Sequence, residues 1–167
     1  MATLVRDWRT TEAALLAARA DGAAPTLVTP EDAASFYGAG YLAALQERAR
    51  KEFPDVAFTL VVDCGDAPGH ALACLRAARA DGSAPVLVTP EEAASFYGAG
   101  YLAALQERAR KEFPDVAFTL VVDCGDAPGH ALACLRAGVK TISMRETNDK
   151  IAEIARQMGA ELVRRPT

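Results

Sequence analysis

The chain has 167 residues, of which 51% are hydrophobic and 24% charged, and its formal net charge is −4. This composition is typical of a globular protein with a sizeable core and excludes intrinsic disorder, collagen and coiled coils. The mildly acidic charge gives no basic surface for nucleic acid, and we expect no membrane span and no signal peptide. The four cysteines form no CxxC pair, which favours reduced thiols and a cytoplasmic protein.

An internal repeat dominates the sequence. Residues 17–76 recur as residues 77–136 with three changes, which leaves about 107 distinct residues. The changes are Ala23 to Ser83, Thr26 to Val86 and Asp32 to Glu92. The boundary between the copies lies inside a predicted helix, and the helical spacing of apolar residues continues across it. We therefore expect the second copy to extend one sheet rather than form another domain. We therefore predict a single domain over residues 1–167, with flanks at 1–16 and 137–167.

The predicted elements begin with a helix over residues 7–20 and a short β-branched strand at residues 26–29. Thr29 followed by Pro30 and two acidic residues is typical of a helix start. We predict that this helix runs without a break to about Glu52, because its apolar residues recur at spacings of three and four.

The second half of each copy predicts a buried strand and a short helix. The apolar, β-branched run Val56–Val62 is typical of a strand buried on both faces, as in parallel sheets. A turn follows at residues 63–69, and a helix is predicted from His70 to Ala80. Two copies of this pattern require parallel strands joined by right-handed crossovers.

The C-terminal flank continues the same alternation. A strand is predicted over residues 139–144, then a helix capped by Asn148 and ended at Gly159, then a weaker strand at 161–163. The resulting fold class is α/β, a single domain with a mainly parallel sheet of five to six strands flanked by helices. The alternative is a half (βα) barrel completed by a partner chain.

Candidate functional residues cluster where the second strand of each copy ends, because ligands of parallel α/β folds bind there. The candidate catalytic carboxylates, suited to acid/base chemistry, are Asp63, Asp66, Asp123 and Asp126. The weaker candidate metal ligands are Cys64, His70, Cys124 and His130. The same residues also fit a structural role in capping the turn and filling the core. No cofactor is predicted.

Two stretches carry a resemblance to known proteins. LVTPEDAASFYGAGYLAAL and LVVDCGDAPGHALACLRAGVKTIS resemble a group of small uncharacterised bacterial α/β proteins with a DCGDAPG-type turn. More distantly, the strand, turn and helix are similar to a quarter of a (βα)8 barrel of the metal-dependent ketose-bisphosphate aldolase kind. That resemblance implies a catalytic aspartate at Asp63 and Asp123. Cys64 and Cys124 stand where the family has a metal-binding histidine.

The sequence alone assigns no biochemical activity. The near-identity of the copies favours an engineered or recent tandem duplication, whose main properties would be an enlarged fold and oligomer assembly. Either copy can pair with the neighbours of the other, so we expect a homodimer or a domain-swapped oligomer. The alternative function is a metal-dependent lyase or a small-ligand-binding protein with its site at the C-terminal ends of the strands.

Overall fold

The computed structural model describes residues 2–65, 67–146 and 148–165. Within these residues the chain alternates strands with helices. The strands are β1 (Ala2–Leu4), β2 (Thr26–Val28), β3 (Thr59–Asp63), β4 (Val86–Val88), β5 (Thr119–Asp123), β6 (Thr141–Met144) and β7 (Glu161–Arg164). The helices are α1 (Trp8–Asp21), α2 (Ala33–Phe36), α3 (Ala39–Glu52), α4 (Pro68–Asp81), α5 (Ala93–Tyr97), α6 (Ala99–Glu112), α7 (Pro128–Ala137) and α8 (Asp149–Gln157).

The strands form one all-parallel sheet in the sequential order β1 to β7. Right-handed crossovers between neighbouring parallel strands place successive helices on the same face, so the sheet curls into a half barrel. The predicted α/β class and parallel sheet are confirmed. The predicted count of five to six strands is wrong, since the described residues form seven. The missed strand β1 has only three residues, too few to show a period.

The two faces of the sheet are covered differently. Leu60 and Val62 of β3 pack in a cluster with helical side chains, whereas Val61 between them belongs to a cluster of strand residues. This follows from the alternation of side chains along a strand. The cluster of strand residues contains four buried valines, one each from β2, β3, β4 and β5. They are Val28, Val61, Val88 and Val121.

The predicted long helix in each copy is wrong, because the chain breaks at a glycine. Gly38 has φ 78° and separates α2 from α3, and Gly98 has φ 77° at the same place in the second copy. A residue with a side chain rarely adopts this conformation. The break is not visible in the sequence pattern, because the helical spacing of apolar residues continues across the glycine. The predicted start at Thr29 is also wrong, since α2 begins at Ala33 after Asp32 with φ 55°.

The elements near the two ends of the chain agree with those predicted from the sequence. The first predicted helix is confirmed as α1, which Asp7 caps by accepting the Thr10 N–H. Asn148 caps α8 as predicted, and the weak C-terminal strand is confirmed as β7. No helix in the described part of the chain is long and apolar enough to cross a membrane.

Candidate functional site

Three charged side chains converge at the C-terminal ends of the strands, on the concave face of the curled sheet, which is the face opposite the helices. Asp63 and Asp123 end β3 and β5, and Arg165 directly follows β7. Nη2 of Arg165 lies 3.5 Å from Oδ2 of Asp63, and Nη1 lies 2.9 Å from Oδ2 of Asp123. The Arg165 side chain is only 11% exposed, and the two carboxylates are 9% and 1% exposed. The strands thus bring two residues from equivalent positions of the repeat onto one guanidinium.

The other oxygen of each carboxylate holds the backbone. Oδ1 of Asp63 accepts the N–H of Gly65 at 2.9 Å and the N–H of Asp32 at 3.1 Å. Oδ1 of Asp123 accepts the equivalent N–H groups of Gly125 at 2.9 Å and Glu92 at 2.8 Å. Each aspartate therefore ties the loop after the preceding strand to its own turn, while Oδ2 remains directed toward Arg165.

The loop that meets Asp63 adopts a strained conformation to do so. Asp32 has φ 55°, a left-handed conformation that costs a residue with a side chain about 1–2 kcal/mol. Glu92 has the same φ, so the exchange of Asp32 for Glu92 between copies preserves the geometry. Gly65 packs so tightly here that a Cβ would lie 2.5 Å from Oδ1 of Asp32. The strain persists because the N–H it exposes binds a buried carboxylate.

Threonine hydroxyls support both aspartates from the neighbouring strand. The N–H of Asp63 donates to Oγ1 of Thr29 at 3.0 Å, and the N–H of Asp123 donates to Oγ1 of Thr89 at 2.9 Å. The Thr29 hydroxyl therefore joins the residue after β2 to the end of β3 and does not cap a helix. Both threonines are buried.

The two carboxylates differ in one neighbour. The hydroxyl of Ser143, in β6, donates to Oδ2 of Asp123 at 2.9 Å, whereas the register partner of Asp63 in β4 is the apolar Val88. Burial raises the pKa of the Asp63 carboxyl. The N–H groups of Gly65 and Asp32 and the charge of Arg165 oppose this shift. Asp63 is therefore a carboxyl that releases its proton less readily than an exposed aspartate.

An open hollow of about 450 Å³ lies beside Asp63 and Arg165 on the concave face. Its lining combines apolar and charged side chains. The apolar residues in its lining are Leu4, Val28, Pro30, Val61 and Val88, and the charged residues are Arg6, Glu31, Asp63, Glu91 and Arg165. This volume is in the range of small-molecule sites.

Asp126, another predicted carboxylate, does not join this cluster. Asp126 is exposed, and its Oδ2 lies 3.1 Å from Nη1 of Arg145. Arg145 also contacts Glu91 at 3.4 Å, and these two acids raise the pKa of its guanidinium. Asp66 lies outside the described residues. Of the candidate acids in the described part of the chain, Asp63 and Asp123 are the pair brought together.

The predicted metal ligands lie elsewhere in the fold. Cys64 and Cys124 belong to the core clusters that include the helices, on the opposite face from the Asp63 carboxylate. Nδ1 of His70 lies 3.2 Å from the backbone carbonyl of Cys64, and His130 is half-buried. Among the described residues, no three histidine, cysteine or acidic side chains are grouped to hold a metal ion.

Sequence reasoning missed Arg165, Ser143 and the two threonines. A signal for Arg165 was present, because it lies two residues beyond Val163, the last residue of the predicted strand, and an extended chain would place both on the same side. The convergence itself could not be predicted, because it depends on the curl of the sheet, which brings the end of β7 near the end of β3.

Compared with known proteins, the chain matches no family model, and a search of curated proteins finds no similar sequence. The resemblance drawn from the DCGDAPG-type turn therefore stays a prediction. The functional argument rests on the geometry around Asp63, Asp123 and Arg165.

Proposed function

We propose that the concave face binds a small organic cation, an amine or guanidinium on a short apolar chain, at Asp63 and Asp123. The observation that carries this proposal is the Arg165 guanidinium, which already contacts both carboxylates. An arginine side chain is itself a guanidinium on a short apolar chain. The residue thus serves as an internal analogue of the ligand and marks the chemistry that the acid pair accepts.

The charge around the hollow supports a cation rather than an anion. Its lining has three acids, Glu31, Asp63 and Glu91, and two bases, Arg6 and Arg165. Asp123 contacts Arg165 as a fourth acid, and Glu91 also contacts Arg145. Displacement of Arg165 would leave an excess of carboxylates in a partly desolvated space. Such a space favours a compensating positive charge, because buried charges are costly unless they are paired.

The apolar lining of the hollow supports an apolar chain on the ligand. Val28, Val61 and Val88 belong to one apolar cluster and line the hollow, and Leu4 of β1 lines it as well. Apolar carbon placed on this surface would be removed from water, whereas the charged head would contact the carboxylates of Asp63 and Asp123.

A thermal-shift experiment tests the proposal. We expect butylammonium and ethylguanidinium to raise the melting temperature of Arg165→Ala more than that of the unaltered chain, because the competing guanidinium is gone. Butyrate serves as the matched anion and should give no shift. The double variant Asp63→Asn/Asp123→Asn should lose the response. Equal shifts in the double variant, or no shift in either Arg165→Ala or Arg165→Met, would refute cation binding at this site.

We also propose, on separate grounds, that the chain assembles as a homodimer. Strands β1 and β7 are the two edges of the described sheet, and parallel edges of this kind readily pair with another chain. Phe36 and Phe96 occupy equivalent positions in the two copies and are 81% and 75% exposed. A partner that covers these features would complete the barrel. Sedimentation velocity over a hundredfold range of concentration should show a dimer, and a monomer at the highest concentration would contradict it.

The repeat supports a third part of the proposal, that the chain arose by a recent or engineered duplication. Each copy contributes one aspartate to the Arg165 contact, and the two turns are identical in sequence. Duplication would then have created the acid pair by bringing a second copy of one strand end into the same half barrel.

A further inference from the structure

Two buried polar side chains near the junction of the copies have no hydrogen-bond partner in the described part of the chain. Gln46, in α3, is 8% exposed, and Ser83, which follows α4, is 6% exposed. The backbone N–H of Ser83 donates to Oδ1 of Asp81 at 2.8 Å, but within the described residues neither the Ser83 hydroxyl nor the Gln46 amide is paired. Buried polar groups are nearly always hydrogen-bonded, so this place needs an explanation.

Both side chains line one small chamber between α3, α4 and β3. The volume of this chamber is about 20 Å³, enough for one molecule the size of water. Asp81 also lines it, but one oxygen of its carboxylate already accepts an N–H group. The rest of the lining is apolar, and it consists of Ala39, Leu42, Ala43, Leu60, Val62, Cys74, Ala77, Ala78 and Pro85. Gln46 and Ser83 therefore supply the free hydrogen-bonding groups of the chamber.

The equivalent glutamine of the second copy is paired. Nε2 of Gln106 donates to the carbonyl of Gly138 at 3.1 Å, and its Oε1 accepts the N–H of Lys140 at 2.9 Å. The first copy has Ala78 and Ala80 at these two positions, and α4 continues through both. Their backbone groups are bonded within the helix and its cap, so they offer the first glutamine no partner.

The hydroxyl in the chamber is itself a difference between the copies. Ser83 stands where the first copy has Ala23, and this is one of three changes in the repeat. A buried hydroxyl without a partner is costly relative to alanine, and a bound group that hydrogen-bonds to it would offset that cost. The junction thus leaves the amide of Gln46 unpaired and places a hydroxyl beside the same chamber.

The chamber adjoins an open groove of about 400 Å³ between α3 and α4. Ala43, Ala77 and Asp81 line both spaces. The other residues in the lining of the groove are Gly40, Ala44, Glu47 and Ala80. These small side chains leave room for a narrow apolar chain, and the two acids disfavour an anion.

We propose that the chamber binds the hydroxyl group of a short unbranched alcohol, whose alkyl chain lies in the groove. A hydroxyl group has the size of a water molecule and both donates and accepts hydrogen bonds. It can accept an N–H of the Gln46 amide and donate to Oγ of Ser83. An ammonium group only donates and would leave the amide N–H groups unpaired, whereas a carboxylate would be repelled by Asp81 and Glu47. The ligand class is therefore neutral.

The three glutamines of the chain allow the site to be tested by NMR. Gln106 is the paired equivalent of Gln46, and Gln157 lies in α8, where its Nε2 donates to Glu153. Isotopic labelling of the glutamine side-chain nitrogen gives three pairs of amide signals, which Gln46→Leu and Gln157→Leu assign by elimination. The full chain is titrated with n-butanol and, separately, with its branched isomer tert-butanol.

We expect n-butanol to shift the Gln46 signals saturably and to leave those of Gln106 and Gln157 unchanged. The isomer tert-butanol should have no such effect, because the branched carbon beside its hydroxyl does not fit a chamber the size of water. Ser83→Ala removes one hydrogen bond and should weaken binding about fivefold.

The variant Ser83→Ala introduces the residue found at the equivalent position 23, and unchanged Gln106 and Gln157 signals would show that it keeps the fold. Four results would each overturn the proposal. They are equal responses to the two isomers, a Gln106 response as large as that of Gln46, no shift of the Gln46 signals, and unchanged affinity in Ser83→Ala.

Discussion

Removal of the Arg165 guanidinium gives the most informative perturbation of this fold. In Arg165→Ala, Asp63 and Asp123 lose their shared cation while remaining largely buried. Breaking a buried ion pair by removing one partner typically costs about 3–5 kcal/mol. The hollow beside Asp63 admits water, which favours the lower end of that range of energies. We therefore expect a loss of roughly 3 kcal/mol in the free energy of unfolding.

Urea unfolding at pH 7, followed by fluorescence of the single Trp8, measures this loss. Arg164→Ala is the matched control, because Arg164 is exposed in the adjacent position and its removal should cost no more than about 0.5 kcal/mol. Repeating Arg165→Ala in an Asp123→Asn background should reduce its cost, since the contact is shared. A cost for Arg165→Ala as small as that for Arg164→Ala would show that the ion cluster of Arg165, Asp63 and Asp123 contributes no stability.

Two further predictions concern the turn and its carboxylate. Gly65→Ala should destabilise the fold by about 1–3 kcal/mol in urea unfolding, because φ is 64° and the new Cβ would meet Oδ1 of Asp32. Gly69→Ala, where a Cβ meets open space, should be close to neutral, and equal costs would contradict the strain argument. The raised pKa of Asp63 stabilises the fold below 3.8, the ordinary pKa of an aspartate, and this contribution is lost as pH rises through the folded-state pKa. The stability of the unaltered chain relative to Asp63→Asn should therefore fall from pH 3 to pH 7, and a difference that grows with pH would contradict a raised pKa for Asp63.

The sequence predicts the parts of this fold that depend on local patterns. The strand ending at Asp63 could be predicted because an apolar β-branched run ends in a polar turn. The break at Gly38 could not, because glycine is compatible with helical spacing and its φ is fixed only by how α2 and α3 pack on the sheet. The same applies to Asp32, whose left-handed conformation follows from the carboxylate that its N–H binds.

The candidate site could likewise be predicted from the sequence only in part. Asp63 and Asp123 could be placed at one edge of the sheet, because the C-terminal ends of parallel strands lie together. Their shared contact with Arg165 spans the sheet from β3 to β7 and depends on its curl. The separation of Cys64 from the adjacent carboxylate follows from strand alternation once the strand is known to include Asp63.

Calorimetric titration of ethylguanidinium into Arg165→Ala tests whether the concave face holds a cation site. We expect saturable binding of one cation per chain, weakened or abolished when Asp63→Asn and Asp123→Asn are added to the same variant. No heat of binding to Arg165→Ala, or equal binding after both aspartates are replaced, would contradict a cation site on the concave face.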